Sequence, residues 1–180
     1  MAAELPRRLT PAERERFVAL DAEVKAMLHS GDLNPWEVFF SATYPDYVSF
    51  TLQPERVEVQ RACAGMASSL ERIKNACARD NVKLVVLSIT APWYVSPRAL
   101  AGKRRVGYLL DEAALNSDAP DEVIRSACRV AEVDCFSFTQ HFRAVGADRK
   151  WFFDFDGMFN VEGHTIYGEE VSRLLLQIPK

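Results

Sequence analysis

The residues best suited to chemistry gather near the end of the chain, in the stretch WFFDFDGMFNVEGHTIYG. An aromatic run, Trp151-Phe152-Phe153, leads into Asp154, Asp156 and Gly157, then through Asn160 to Glu162-Gly163-His164. A carboxylate just after a strand can orient a histidine, and a histidine so held can take the proton of a serine hydroxyl. That is the chemistry of a serine-type ester hydrolase. His164 reads either as a base paired with Asp154 or Asp156, or as a helix-start residue held by local hydrogen bonds. Asp156 reads as a triad carboxylate or as a turn residue. Asn160 has the type and position of an N-cap for the last helix, and is also a candidate ligand contact. His141, after an earlier strand, is a second candidate for the same cleft. Met158 occupies the middle of the turn, where a thioether offers only a weak hydrogen-bond acceptor and no useful basicity.

These residues need elements to hold them. Thr10-Pro11-Ala12-Glu13 is a capping-box pattern, and the apolar spacing after it predicts a helix that Gly31 stops. Asn34-Pro35 opens a second, very apolar helix. The longest helical pattern runs from Pro54 to about Arg79. Lys83 to Thr90 is a continuous aliphatic run, predicting a parallel strand buried on both faces. Ala91 to Lys103 reads as a loop, and 107–115 as helical. A helix starting near Asp118, a strand over 134–138, a brief helix over 139–145, an extended piece over 151–155 and a final helix over 161–177 follow. Ligands gather at the carboxyl ends of parallel strands, which directs attention to 90–94, 139–142 and 154–164. Ser88, like the other serines, lacks a nucleophile-elbow context. Lys103-Arg104-Arg105 reads as solvated surface or as a grip for an anion. The aromatics Trp36, Phe39, Phe40, Tyr44 and Tyr47 read as core or as a docking surface.

Three segments carry a family resemblance. The helix followed by KLVVLSITAPWYV, the helix followed by VDCFSFTQHFRA, and FFDFDGMFNVEGHTIYGEEVSRLLL together resemble the C-terminal half of an SGNH/GDSL-type hydrolase, over residues 55–180. In that family a late segment of the form Asp-x-His-x-Asn-x-x-Gly-His supplies the acid and base of a Ser-His-Asp triad. Asp156, Asn160, Gly163 and His164 match it, and Met158 stands where the catalytic histidine is expected. The family's opening Gly-Asp-Ser block is absent, since Gly31-Asp32 is followed by Leu33 and lies between helices. The resemblance implies a three-layer α/β/α fold, flavodoxin-like or SGNH-like, with an abbreviated parallel sheet. It also implies a relative of ester hydrolases acting on acyl or O-acetyl groups, with the acid position Asp156 retained and the base and nucleophile lost. The absent opening block and the missing strands together fit the latter part of a larger fold. The alternative is a non-catalytic binding or assembly module that docks a partner through its aromatic N-terminal helices.

Totals bound the rest. With 180 residues, 48% of them hydrophobic, the chain can bury a core of one ordinary domain. We read residues 1–180 as one domain, with a helical segment over 1–53 and an α/β portion over 54–180. Net charge is -3 and the 22 Lys and Arg are dispersed, which argues against nucleic-acid binding. The four cysteines form no CxxC pair, so no zinc site and no cofactor is expected. No run is apolar enough to span a membrane and no signal-peptide core is visible, which predicts a cytoplasmic chain. The partners these features admit are a small acylated ligand, a second copy of the chain, or a partner carrying the missing half.

Overall fold

Thr10 opens the first helix as its type dictates. Its hydroxyl accepts the Glu13 amide at 3.4 Å, and the Glu13 carboxylate accepts the Thr10 amide at 2.7 Å. In a computed structural model of the chain, residues 2–146, 149–155 and 157–178 are described. The helix that starts at this capping box, α1 (Pro11–Val18), is shorter than the periodicity predicts. The chain breaks at Ala19-Leu20, and Asp21 caps a separate helix, α2 (Ala22–Ser30), by accepting the Glu23 and Val24 amides. Periodicity hides this break because Leu20 enters the same core as Val24 and Leu28. Gly31 ends α2 with φ 88°, and Asn34 caps α3 (Pro35–Thr43).

A 3-10 segment (Tyr47–Leu52) leads to α4 (Val57–Arg79), β1 (Val85–Ser88), α5 (Pro97–Val106) and α6 (Ala119–Ala131). After these come β2 (Asp134–Ser137), α7 (Thr139–Gly146) and α8 (Val161–Gln177). Helix α5 corrects the expectation of a loop over 91–103. Pro97 sits in its first turn and Ser96 accepts the Ala99 amide, a start signal overshadowed by the two prolines. Residues 107–115 are correspondingly not one helix. Gly107 is the left-handed cap of α5 at φ 108°, and a Cβ there would lie 3.0 Å from Leu20.

The strands pair in parallel, with Val85 opposite Asp134 and Ser88 opposite Ser137. Helix α4 packs along α6, and α6 packs on the sheet. The fold is therefore α/β, dominated by helices, with a two-stranded sheet among the described residues. The extended piece at 151–155 is not a third strand of that sheet. It folds back on itself through one antiparallel bridge, Phe152 to Phe159. Nor is β1 buried on both faces. Val85, Val86 and Leu87 are half-buried, and only Ser88 is fully enclosed.

The N-terminal helices share a core with the end of α5. Val24, Leu28 and Val38 pack with Val106, Tyr108 and Phe155. A second cluster forms around Phe142, Trp151, Phe152 and Phe159, with Phe142 edge-on to Trp151 at 4.9 Å and Phe152 stacked on Phe159 at 4.8 Å. No described helix is long and apolar enough to cross a membrane.

Candidate cleft at the carboxyl ends of the parallel strands

The two strand ends are tied to one carboxylate. Asp121, in the first turn of α6, accepts the Ser88 hydroxyl at 3.1 Å and the Ser137 hydroxyl at 2.7 Å. These serines are register partners across β1 and β2. The helix N-terminus favours the negative charge placed there, and the hydroxyls satisfy it. Asp121 is 6% exposed. Sequence reading missed it because an acid in a first helical turn is ordinary. What distinguishes it is two serines, each closing a strand, that reach it from far along the chain.

A cavity of ≈ 680 Å³ opens at these ends. Ser88, Thr90, Asp121 and Thr139 are among its polar groups, as are Thr51, Glu58 and Ser117; Met66 of α4 forms part of one wall, and Phe40, Tyr47, Phe50 and Trp93 supply an aromatic wall. Lys103 and Glu37 are part of its lining and are ion-paired with each other. Lys103 is 3% exposed, and its Nζ lies 4.9 Å from the Trp93 ring and 5.1 Å from the Tyr108 ring. Burial pushes the Tyr108 phenol up, and the adjacent Glu37 carboxylate pushes it further in the same direction. The Tyr94 phenol is also raised by burial, although its hydrogen bond with the Thr51 hydroxyl opposes the shift. The basic run at 103–105 is therefore split: Lys103 is buried, whereas Arg104 and Arg105 are exposed and each is engaged at the surface. Lys103 is internal, Arg104 donates to the Leu110 carbonyl, and Arg105 holds Asp21 and Glu23.

The residues singled out from the sequence lie elsewhere. Asp156 falls outside the described residues. Met158 is 60% exposed, and its carbonyl accepts the Phe153 amide across the turn. Asn160 is the N-cap of α8: its side-chain oxygen accepts the Gly163 amide at 3.0 Å and its amide group donates to the Lys150 carbonyl. Both ends of this side chain are thus used within the fold, which corrects its reading as a ligand contact. His164 is exposed on the first turn of α8, edge-on to Phe159 at 5.7 Å. His141 lies on α7, with Nε2 3.5 Å from a Glu170 oxygen on α8. Neither histidine lines the cleft, so His141 and His164 are not brought to the strand ends as the sequence reading required. Asp154 is held by a bidentate Arg98, at 3.1 Å to each oxygen, and by Lys150 at 2.9 Å. Burial opposes its ionisation, but Lys150 and Arg98 outweigh that effect and hold the carboxyl below its usual range.

Gly163 has a packing reason for its type. A Cβ there would lie 2.2 Å from the Trp151 carbonyl oxygen and 2.7 Å from the Phe159 ring, so α8 can approach only without a side chain. Gly157, at φ 89°, brings the turn carrying Met158 against the outside of the cleft wall. A Cβ at Gly157 would sit 3.0 Å from Trp93 and 3.7 Å from the Lys103 stem.

The arrangement is a cleft whose two strand-end hydroxyls are both engaged by one carboxylate. Ser88 and Ser137 donate directly to a carboxylate, and no described histidine hydrogen-bonds a serine hydroxyl. Among the described residues no cluster of three or more His, Cys, Asp or Glu could hold a metal ion. Comparison with family models, with curated proteins and with solved structures finds no match.

Proposed function

We propose that this chain is a catalytically degenerate, SGNH-hydrolase-like domain that binds a small, largely apolar acylated ligand in the cleft at its strand ends and does not cleave it. The observation that carries the reading is the position of the Met158 turn. Through Gly157 it abuts Trp93 and Lys103, two residues of the cleft. In the resembled family the acid and base come from this segment and serve a site at the strand ends. Here Met158 cannot accept the proton, and the hydroxyl nearest the strand end, Ser88, is committed to Asp121. The three-layer, SGNH-like form with an abbreviated sheet is part of the same proposal, supported by the parallel β1–β2 pair and by α6 between them.

The test is hydrolysis of p-nitrophenyl acetate, with binding followed by tryptophan fluorescence from Trp93 in the cleft. We expect quenching without turnover above the buffer rate. Turnover that His164→Ala or His141→Ala abolishes would overturn the reading.

A second reading is an assembly module that docks through its N-terminal aromatics. Trp36, Phe40, Tyr44 and Tyr47 are 46%, 40%, 58% and 59% exposed, so these four are surface and not core. Phe40 and Tyr47 stack at 6.2 Å and continue into the cleft wall, which gives such a face a rigid edge.

A further inference from the structure

Strand β1 has an open edge. Its one strand neighbour is β2, and among the described residues no other backbone group hydrogen-bonds Leu84 to Thr90. Such an edge offers a row of unpaired donors and acceptors to any strand that reaches it. Monomeric proteins guard edges with charges, prolines or bulges. The stretch Leu84-Val85-Val86-Leu87-Ser88-Ile89-Thr90 has neither charge nor proline nor glycine. Its strand residues Val85, Val86 and Leu87 are only half-buried, and Ile89 beyond them is 65% exposed.

We propose that the β1 edge is a docking surface for a second copy of this chain, paired β1 to β1 in antiparallel fashion across a two-fold axis. An isolated two-stranded sheet is marginal in water, and this pairing makes one continuous sheet of four strands. The charge pattern favours a copy of the same segment. Laid antiparallel on itself, Leu84–Thr90 brings no like charges together. The nearest charge on one side, Lys83, is already tied to Asp134 of its own protomer at 2.8 Å. On the other side the next charged residue is Arg98, in α5. Self-pairing is also isologous and closes at two copies. Pairing β1 with the β2 of another copy would leave open edges and propagate, and β2 begins with the charged Asp134.

The experiment is sedimentation velocity of the full chain over a wide concentration range, with amide hydrogen exchange measured at its two ends. A reversible dimer is expected, together with slower exchange of the outward-facing amides among Val85–Ser88 in the dimer. Ile89→Lys places a charge at an exposed position of the edge and is expected to weaken the dimer by about tenfold or more while leaving the circular dichroism unchanged. A chain monomeric at every concentration overturns the proposal, as do open-ended oligomers. A dimer whose Val85–Ser88 amides exchange as fast as the monomer's, or one that folded Ile89→Lys does not weaken, also overturns it. If Ile89→Lys fails to fold, exchange in the unmodified chain decides. Ile89 also lines the cleft, so it is amide exchange at Val85–Ser88 in the unmodified chain, which involves no ester binding or turnover, that lets this proposal and the ligand-binding reading stand or fall separately.

Discussion

Replacing Gly163 by alanine tests whether the Gly-His pair before the last helix serves packing or chemistry. The added Cβ would stand 2.2 Å from the Trp151 carbonyl oxygen, 2.7 Å from Phe159 Cδ1 and 3.2 Å from Phe159 Cβ. A carbon–oxygen contact is normally about 3.3 Å or longer, so α8 and the Trp151 backbone must part by roughly 1 Å. The obstacle is backbone, and Phe159 is wedged among Phe142, Phe152 and Tyr167, so no flexible side chain can yield cheaply. Overpacking of this kind costs about 1–3 kcal/mol. Alanine regains part of that, up to about 1 kcal/mol, through its helical propensity. Gly168 of the same helix supplies the control, because a Cβ there meets nothing within 4 Å. Gly168→Ala is therefore expected to stabilise by about 0.5–1 kcal/mol. Gly163→Ala should destabilise by about 1–2 kcal/mol net, seen in urea as a midpoint lowered by about 0.5–1 M at an m-value of about 2 kcal/mol/M. If Gly163→Ala is as stable as Gly168→Ala, the packing account of this glycine is refuted.

Two further outcomes follow from the groups around the cleft. Asp121→Ala leaves the enclosed Ser88 hydroxyl without its acceptor, while Ser137 can still donate to the Thr139 hydroxyl, and should cost about 1–3 kcal/mol in urea unfolding. Ser88→Ala removes donor and desolvated group together and should cost about 1 kcal/mol. The pH dependence has a definite sign at Asp154, whose folded-state pKa is lowered, with burial outweighed by Lys150 and Arg98. Across the window between the folded and unfolded values the unfolded chain binds more protons, so stability rises with pH there and is lost as pH falls through the folded value. Asp154→Asn should flatten the acid limb of a stability–pH curve without altering its slope above neutrality.

Much of the helical frame was legible because its signals are local. Thr10, Asn34 and Asn160 each satisfy amides two or three residues ahead, and Gly31 takes the left-handed cap that its type permits. The parallel pairing of β1 with β2 was legible as well, since a helix lies between them. Residues 151–155 misled because an aromatic run carries strand propensity wherever it stands. With no neighbouring strand to meet, this one turned at Phe155 and paired with Phe159.

The tertiary structure decided the cleft. Lys103 and Glu37 lie 66 residues apart, and Ser88 and Asp121 lie 33 apart. Whether a lysine in a basic run is solvated or buried depends on which distant acid and which aromatic rings meet it. The same holds for His141, whose segment was placed correctly but whose ring faces Glu170 and not the strand ends. Capping and turn formation are settled among near neighbours in the chain and can be read from a few adjacent residues. Burial, ion pairing and the direction a side chain faces are settled by segments far apart in sequence, and the order of residues alone does not specify which of them come together.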